Sequence, residues 1–132
     1  MKKLKTEVIK YSKKLNLTNL SALRSGNISV RVKENGVEGF YITPSGRKYS
    51  TLKPKDIVFV SLKGLYDKKK GKPSSEWRFH QDIYVNKKKA KAIVHAHSTC
   101  ATAVSTHQKS IPAFHYMVAV AGGEDIKCSK YA

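Results

Sequence analysis

The chain has 132 residues, and its mass of 14.8 kDa is large enough for one domain with a hydrophobic core. Hydrophobic residues make up 40% of the sequence, and no apolar run approaches the roughly 20 residues that a membrane-spanning helix needs. The N-terminal segment Met1–Lys10 is basic and lacks the unbroken apolar core of a signal peptide. These features argue against a membrane partner and predict a cytoplasmic protein.

The net charge of +17, from 26 basic and 9 acidic residues, raises the question of nucleic-acid binding. Most of the basic residues are lysines, and the runs Lys68–Lys70 and Lys87–Lys89 lie in predicted turns. These runs carry no interleaved aromatic residues on which bases could stack. A lysine-rich solvated surface is therefore favoured over a nucleic-acid partner, although the charge would attract a phosphorylated small substrate.

Residue patterns in the first half of the chain predict one helix followed by three strands. Apolar residues spaced among lysines predict an amphipathic helix over residues 6–17. Alternating apolar and polar residues over 27–32 predict a strand, and further strands are predicted over 39–42 and 56–62. The turn Thr43–Gly46 separates the last two strands. This order indicates a largely antiparallel meander.

The second half of the chain adds helices and one more strand. A helix is predicted over residues 75–85, because a serine and a glutamate suit its first turn. An apolar run predicts a buried strand over residues 91–97, whose last residues turn polar. A further helix is predicted over 98–106, and the segment 114–121 is ambiguous. The alternation of helices and strands predicts a layered α/β/α domain.

Two histidines at the end of the last predicted strand are candidate metal ligands. His95 and His97 are two residues apart, so on a strand both imidazoles leave the same face. Such a pair can bind one zinc ion, although an isolated His-x-His sequence is more often not a metal site. The pair ends an apolar run, which is where α/β sheets place their ligands, and this position favours the metal hypothesis.

Glu76, nineteen residues before His95, has two interpretations. It is either a structural carboxylate in the first turn of a helix, or a general base held near a metal ion. His80 follows four residues later on the same helical face, where a packing or orienting role is favoured over metal ligation. The residue pattern by itself favours the structural interpretation of Glu76.

Three short polar segments could bind an anion. Ser74 and Ser75 precede a predicted helix, where hydroxyl groups and free amides favour negative charge. The turn Ser45–Gly46 offers similar chemistry, and Gly26–Asn27 places a flexible backbone next to an amide side chain. Each segment alone is common as a cap or a turn. Their occurrence together with Glu76 and the histidine pair favours a binding site.

Five segments of the chain occur in the order and with the spacing of one known family. They are Gly26–Arg31, Ile42–Gly46, Lys72–His80, Val94–His97 and Ile111–Tyr116. On these segments the chain resembles the class II aldolase/adducin family, and most closely its aldolases that act on fuculose 1-phosphate. The resemblance implies a three-layer α/β/α class II aldolase-like domain over residues 1–132, with a mixed, largely antiparallel sheet that is incomplete at its C-terminus.

The resemblance also implies an activity. It implies a zinc-dependent aldehyde-lyase of carbohydrate and pentose catabolism, which cleaves a phosphorylated ketose such as fuculose 1-phosphate by a retro-aldol reaction. His95 and His97 would be zinc ligands, and Glu76 would shuttle a proton and could also ligate zinc. Tyr116 matches a catalytic tyrosine that reaches a neighbouring subunit, which implies a homotetramer. The substrate phosphate would be held by Asn27, Ser45, Gly46, Ser74 and Ser75.

The chain departs from the family pattern in its metal ligands. The family's third zinc histidine lies on a later strand, beyond residue 132, as does a C-terminal catalytic tyrosine. His107 and His115 do not match the third position, so we expect a truncated domain. The alternatives are a sugar-phosphate 4-epimerase or dehydratase of the same family, and a non-catalytic adducin-like module. The adducin-like module is disfavoured because the chain keeps Glu76 and the histidine pair.

Overall fold

A computed structural model describes residues 1–120 and 122–130 of the chain. The chain consists of two compact units, Met1–Ala96 and His97–Ala132, which are described separately. The first unit contains helices α1 (Lys2–Leu17) and α2 (Trp77–Asn86) and strands β1 (Asn27–Glu34), β2 (Val37–Ile42), β3 (Val58–Ser61) and β4 (Ala92–His95). Short 3-10 helices occupy Tyr49–Thr51, Pro54–Asp56 and Lys68–Lys70.

The four strands form one sheet in the order β3-β2-β1-β4. Every pairing among the described strands is antiparallel. β1 is central, and its register places Asn27 opposite His95 of β4 and Ser29 opposite Ile42 of β2. The prediction of an α/β fold with a largely antiparallel sheet is confirmed.

Each face of the sheet is covered by one helix, because side chains alternate between the faces along β2. Tyr41 packs on the α1 side in a buried cluster, whereas Phe40 packs on the α2 side against Tyr84. Burying a large apolar side chain contributes about 1.5–3 kcal/mol, so both helices are anchored to the sheet mainly by these clusters. The α1 side is formed by Val8, Ile9, Leu15, Ile28, Tyr41, Tyr49, Leu52 and Ile57, and the α2 side by Phe40, Ile42, Val58, Val60 and Tyr84. The first unit is therefore a three-layer α/β/α arrangement.

Two predicted strands differ from the observed ones. The strand predicted over 56–62 begins only at Val58, because Asp56 accepts a hydrogen bond from the Lys53 amide at 2.8 Å and closes a 3-10 turn. The strand predicted as buried over 91–97 spans only Ala92–His95, and Val94 is 59% exposed. The prediction of burial is wrong because β4 lies at the edge of the sheet, beside a groove of about 280 Å³ between β4 and α1.

The second unit contains two short helices, α3 (Thr99–Thr106) and α4 (Tyr116–Val120). Ile111 and Ile126 exchange two backbone hydrogen bonds of 3.0 Å, which close the segment that contains α4. Helix α3 matches the prediction over 98–106, and in the described part of the ambiguous segment 114–121 the residues Tyr116–Val120 are helical. Within residues 1–120 and 122–130, no helix is both long enough and apolar enough to cross a membrane, and a cytoplasmic location stays a prediction.

Candidate functional site

Glu76 lies immediately before α2 and does not cap the helix. The helix begins at Trp77, and the side chain of the N-cap residue Glu76 makes no hydrogen bond to its free amides. The Glu76 amide instead donates to Ser74 Oγ at 3.4 Å. The carboxylate is thus available for other partners, and Glu76 stands just before the first turn of the helix, in which the structural interpretation had placed it.

The Glu76 carboxylate contacts the ends of two adjacent strands. Its Oε2 accepts a hydrogen bond from Asn27 Nδ2 at 2.5 Å, and its Oε1 lies 3.4 Å from His95 Nε2. Asn27 and His95 are directly opposite each other in the antiparallel pair of β1 and β4, so their side chains leave the same face of the sheet. Strand register therefore brings an amide and an imidazole together, and the segment before α2 adds a carboxylate.

His97 follows His95 by two residues and is the first residue of the second unit. Its side chain is exposed. Within the first unit, the Glu76 carboxylate and the His95 imidazole lie side by side, and each offers one ligand atom to a metal ion. Two imidazoles and a carboxylate are donors that zinc uses in catalytic sites.

A buried polar network lies behind Glu76 and joins α2 to β1. His80 Nε2 hydrogen-bonds Asn27 Oδ1, and His80 Nδ1 lies 2.7 Å from Ser29 Oγ. The Ser29 hydroxyl lies 2.8 Å from the Tyr84 hydroxyl. The sequence-based expectation that His80 orients or packs agrees with these contacts. Sequence reasoning missed Ser29 and Tyr84, although Tyr84 lies four residues after His80 on the same helical face.

Burial sets the protonation states in this network. Desolvation, together with the positive charge that His95 can carry, lowers the pKa of His80 to about 4. Desolvation raises the pKa of the Tyr84 hydroxyl to about 12, although its hydrogen bond to Ser29 and the charge of Arg31 act in the opposite direction. At neutral pH His80 is therefore a neutral imidazole, and Tyr84 keeps its hydroxyl hydrogen.

The lowered pKa of His80 makes stability depend on pH. The unfolded chain protonates this histidine near 6.5, whereas the folded chain does so only near 4. Between these values the unfolded state holds more protons, so we expect the free energy of unfolding to fall as the pH drops through this window. Urea unfolding at a series of pH values would measure the fall. His80→Gln does not titrate, so its free energy of unfolding should fall less steeply, and an equal slope would contradict the prediction.

Two loops bring most of the candidate phosphate-binding residues together. Pro44 and Pro73 form an antiparallel bridge. The Ser45 amide donates to the Lys72 carbonyl at 3.0 Å, and the Ser74 amide donates to the Thr43 carbonyl at 2.9 Å. The segments that carry Ser45 and Gly46 and those that carry Ser74 and Ser75 are thus neighbours. Asn27, by contrast, uses both ends of its amide on Glu76 and His80.

Arg24 is a cation beside these loops that sequence reasoning missed. Its Nη1 donates to the Gly46 carbonyl at 2.9 Å, and its side chain remains exposed. Gly46 has a φ of +70°, a conformation that favours glycine. A contact between Arg24 and Gly46 depends on the loop conformation, so no local sequence signal predicts it.

The remaining predicted residue, Tyr116, lies in the second unit at the start of α4. Its ring is 72% exposed and lies 4.4 Å from the His115 ring, measured between centroids. Its catalytic role and its reach into a neighbouring subunit stay predictions. His107 directly follows α3, and His115 Nδ1 accepts a hydrogen bond from the Met117 amide at 3.3 Å.

The first unit combines a three-layer α/β/α fold with a carboxylate, an imidazole and two serine-bearing loops beside one end of the sheet. This arrangement is that of an α/β protein with a candidate metal and anion site. A comparison with family models shows the family to which it belongs. The chain belongs to the class II aldolase and adducin family, since the model described as "Class II Aldolase and Adducin N-terminal domain" matches residues 6–132.

Three similar proteins are described as aldolases. L-fuculose phosphate aldolase of Escherichia coli K12 is 42% identical over 130 residues, which cover 98% of this chain and 58% of the relative. A 5-methylthioribulose-1-phosphate/5-deoxyribulose-1-phosphate aldolase of Rhodospirillum rubrum is 42% identical over 125 residues, which cover 95% of this chain and 54% of the relative. A solved L-fuculose 1-phosphate aldolase has a TM-score of 0.90 at 38% identity, covering 100% of this chain and 61% of that one. The chain thus spans little more than half the length of the curated relatives it matches.

Proposed function

We propose that this chain carries the metal and phosphate site of an aldehyde-lyase that cleaves a phosphorylated ketose. Membership of the class II aldolase and adducin family supports the reaction class. The substrate class is supported by two groups of relatives at equal identity, one named for fuculose phosphate and the other for ribulose 1-phosphates. A phosphorylated ketose is the chemistry that these names share.

The observation that carries the proposal is the contact of Glu76 with both Asn27 and His95. One carboxylate oxygen is held by an amide at 2.5 Å, and the other lies 3.4 Å from an imidazole nitrogen. An oxygen at this position fits a metal ion shared with His95, and His97 follows two residues later in the chain. The donor set of two histidines and one glutamate fits zinc. We therefore propose Zn²⁺ as the cofactor, with His95 and His97 as ligands and Glu76 as a further ligand.

The metal, when bound, would polarise the carbonyl and hydroxyl oxygens of the ketose and offset the negative charge left by carbon–carbon cleavage. The residues of the chain would supply orientation and proton transfer. When Glu76 Oε1 is not a metal ligand, it is the atom that would take a proton from the substrate hydroxyl and return it to carbon, because Oε2 is occupied by Asn27. Asn27 and His95 each contact one oxygen of this carboxylate, which fixes its position.

The phosphate of the substrate would bind at the paired loops. Ser45, Gly46, Ser74 and Ser75 offer hydroxyl groups and backbone amides, and Arg24 adds a positive charge beside Gly46. Of these residues, Ser75 and Gly46 are exposed to an incoming ligand. A phosphate held there would fix the reacting carbons relative to Glu76, which lowers the entropic part of the barrier. Asn27 would contribute through Glu76, because both ends of its buried side-chain amide are already hydrogen-bonded.

Assembly is part of the proposal. If Tyr116 acts at the site of a neighbouring subunit, as the family resemblance implies, the active form is a homo-oligomer, and a tetramer is expected. The exposed position of Tyr116 on α4 is compatible with a contact to a second subunit. We further propose that residues 1–132 constitute one domain of the class II aldolase and adducin type.

The proposed function is tested by zinc analysis and by cleavage assays on the purified chain. We expect about one zinc per chain at saturation, and release of dihydroxyacetone phosphate from fuculose 1-phosphate or 5-methylthioribulose 1-phosphate in the zinc-loaded protein. Chelation should abolish the release, and added zinc should restore it. A chain that retains no zinc would overturn the metal site. A zinc-loaded chain that rearranges the ketose without cleaving it would favour an epimerase.

A further inference from the structure

The hydrogen-bond network behind Glu76 has only one arrangement of hydrogens. A carboxylate accepts hydrogen bonds, so the Asn27 atom that faces Glu76 Oε2 is the amide nitrogen Nδ2. The amide oxygen Oδ1 then faces His80 Nε2. An oxygen at this position needs a donor, so Nε2 of His80 carries the imidazole hydrogen.

The donors and acceptors can be assigned in the same way from His80 to Tyr84. A neutral imidazole with its hydrogen on Nε2 is an acceptor at Nδ1, so the Ser29 hydroxyl donates to Nδ1 over 2.7 Å. Ser29 has a single hydroxyl hydrogen, and the Tyr84 hydroxyl therefore donates to Ser29 Oγ over 2.8 Å. Tyr84, Ser29, His80 and Asn27 thus form a series of donors that ends on the carboxylate of Glu76.

We propose that His80 is a positioning residue, which acts on Glu76 by keeping the amide nitrogen of Asn27 turned toward the carboxylate. The functional part of this inference rests on the proposed aldolase function. Asn27 is only 1% exposed, so water cannot replace a lost partner at its Oδ1. Without the donor at His80, rotation of the Asn27 amide would relieve its unsatisfied oxygen but would place that oxygen against Glu76.

Packing holds the imidazole in place for this role. His80 is completely buried, and its ring lies 4.5 Å from the Phe79 ring and 6.5 Å from the Phe40 ring, between centroids. Hydrogen bonds on both ring nitrogens fix the rotation of the ring about its own axis. The imidazole is therefore held in one orientation by Ser29 and by its packing, and it fixes the orientation of the Asn27 amide in turn. Neither contact requires a metal or a substrate.

The tautomer of His80 tests the inference without metal or substrate. Long-range ¹H–¹⁵N correlation spectra of the ¹⁵N-labelled chain at neutral pH should show His80 with its hydrogen on Nε2 and an unprotonated Nδ1. The His80 signals are assigned by their loss in His80→Gln. A hydrogen on Nδ1 would overturn the inference, because His80 could not then donate to Asn27.

Three variants test the positioning role. His80→Gln keeps a donor for Asn27, His80→Phe keeps the ring packing but removes the donor, and Tyr84→Phe removes a hydroxyl at the far end of the series. The side-chain amide hydrogens of Asn27 should be protected from exchange in the parent, in His80→Gln and in Tyr84→Phe, and should lose protection in His80→Phe. A purely structural role would lower thermal stability without this pattern, and unchanged protection in folded His80→Phe would overturn the inference.

Kinetics distinguish this inference from the proposed function. If the chain cleaves a ketose phosphate, His80→Phe should lower kcat by about 10- to 100-fold, which is typical when a residue supporting a metal site is lost. KM should change little, and His80→Gln should recover most of the rate. Equal rates in the parent and in His80→Phe would overturn the functional role. An inactive parent that shows the expected tautomer and protection pattern would reject the aldolase function and support the orientation of Asn27 by His80.

Discussion

Glu76→Gln is expected to lower kcat by about 10²- to 10⁴-fold, the range for losing a general acid or base. Glutamine has nearly the same shape as glutamate, and its carbonyl oxygen can still accept the hydrogen bond that Asn27 Nδ2 donates to Oε2 at 2.5 Å. The amide nitrogen that would then face His95 can neither take the substrate proton nor ligate zinc. The rate is measured as release of dihydroxyacetone phosphate at saturating zinc and substrate.

Glu38→Gln is the matched control for this substitution. Glu38 lies on β2 with an exposed side chain, and its substitution removes the same charge. We expect its rate to stay within about twofold of the parent, because exposed charges away from the site contribute little. The zinc content of both variants is measured in the same samples, which separates lost proton transfer from lost metal. A Glu76→Gln variant with bound zinc and full activity would remove Glu76 from the mechanism.

The sequence predicts the elements of the first unit well because their patterns are local. Alternation over β1 and the apolar spacing in α1 are visible within windows of about 6–16 residues, where periodicity reports which face is buried. The histidine pair and Glu76 are also visible locally, since each stands at the boundary of an element. The expectation that these boundaries meet rests on the family resemblance and on the general placement of ligands at strand ends.

The contacts that define the site are harder to predict from the sequence, because they depend on pairing between distant segments. Asn27 meets His95 only through the register of β1 and β4, because the two residues are far apart in the sequence. The observed α2 begins two residues after the predicted start at residue 75, so Glu76 lies before the first turn rather than in it, and its carboxylate makes no capping hydrogen bond. The edge position of β4 likewise depends on strand order, so its apolar run predicts a burial that the sheet does not provide.

The Ser29 contact shows how such a residue could be found from sequence. Ser29 is a polar residue between Ile28 and Val30, and on a half-buried strand it falls on the face opposite to theirs. It is completely buried, and a buried hydroxyl requires a partner. The pair of His80 and Tyr84, four residues apart on α2, supplies two polar groups on one helical face. A buried serine and such a pair together indicate a polar network between a helix and a sheet.

His95→Ala is expected to weaken zinc binding by about 100- to 1000-fold. Structural zinc sites have binding free energies of about 10–16 kcal/mol, shared among four ligands. Each 1.4 kcal/mol that is lost corresponds to about a factor of ten in affinity. The substitution also removes the group that faces Glu76 Oε1 at 3.4 Å. His97→Ala should weaken zinc binding to a similar extent if both imidazoles are ligands. Zinc affinity is measured by competition with a chromophoric chelator at fixed pH and ionic strength.

His107→Ala is the control for the two histidine variants. His107 directly follows α3 and is exposed, and it is not one of the three proposed zinc ligands. Its loss should leave zinc affinity within about twofold of the parent, since it supplies none of the proposed ligands. If His107→Ala weakened binding as strongly as His95→Ala, zinc would be bound through scattered surface histidines. A loss of zinc affinity in His95→Ala and His97→Ala but not in His107→Ala would instead require a defined site. In that site, the end of β4 brings an imidazole to the carboxylate that Asn27 holds.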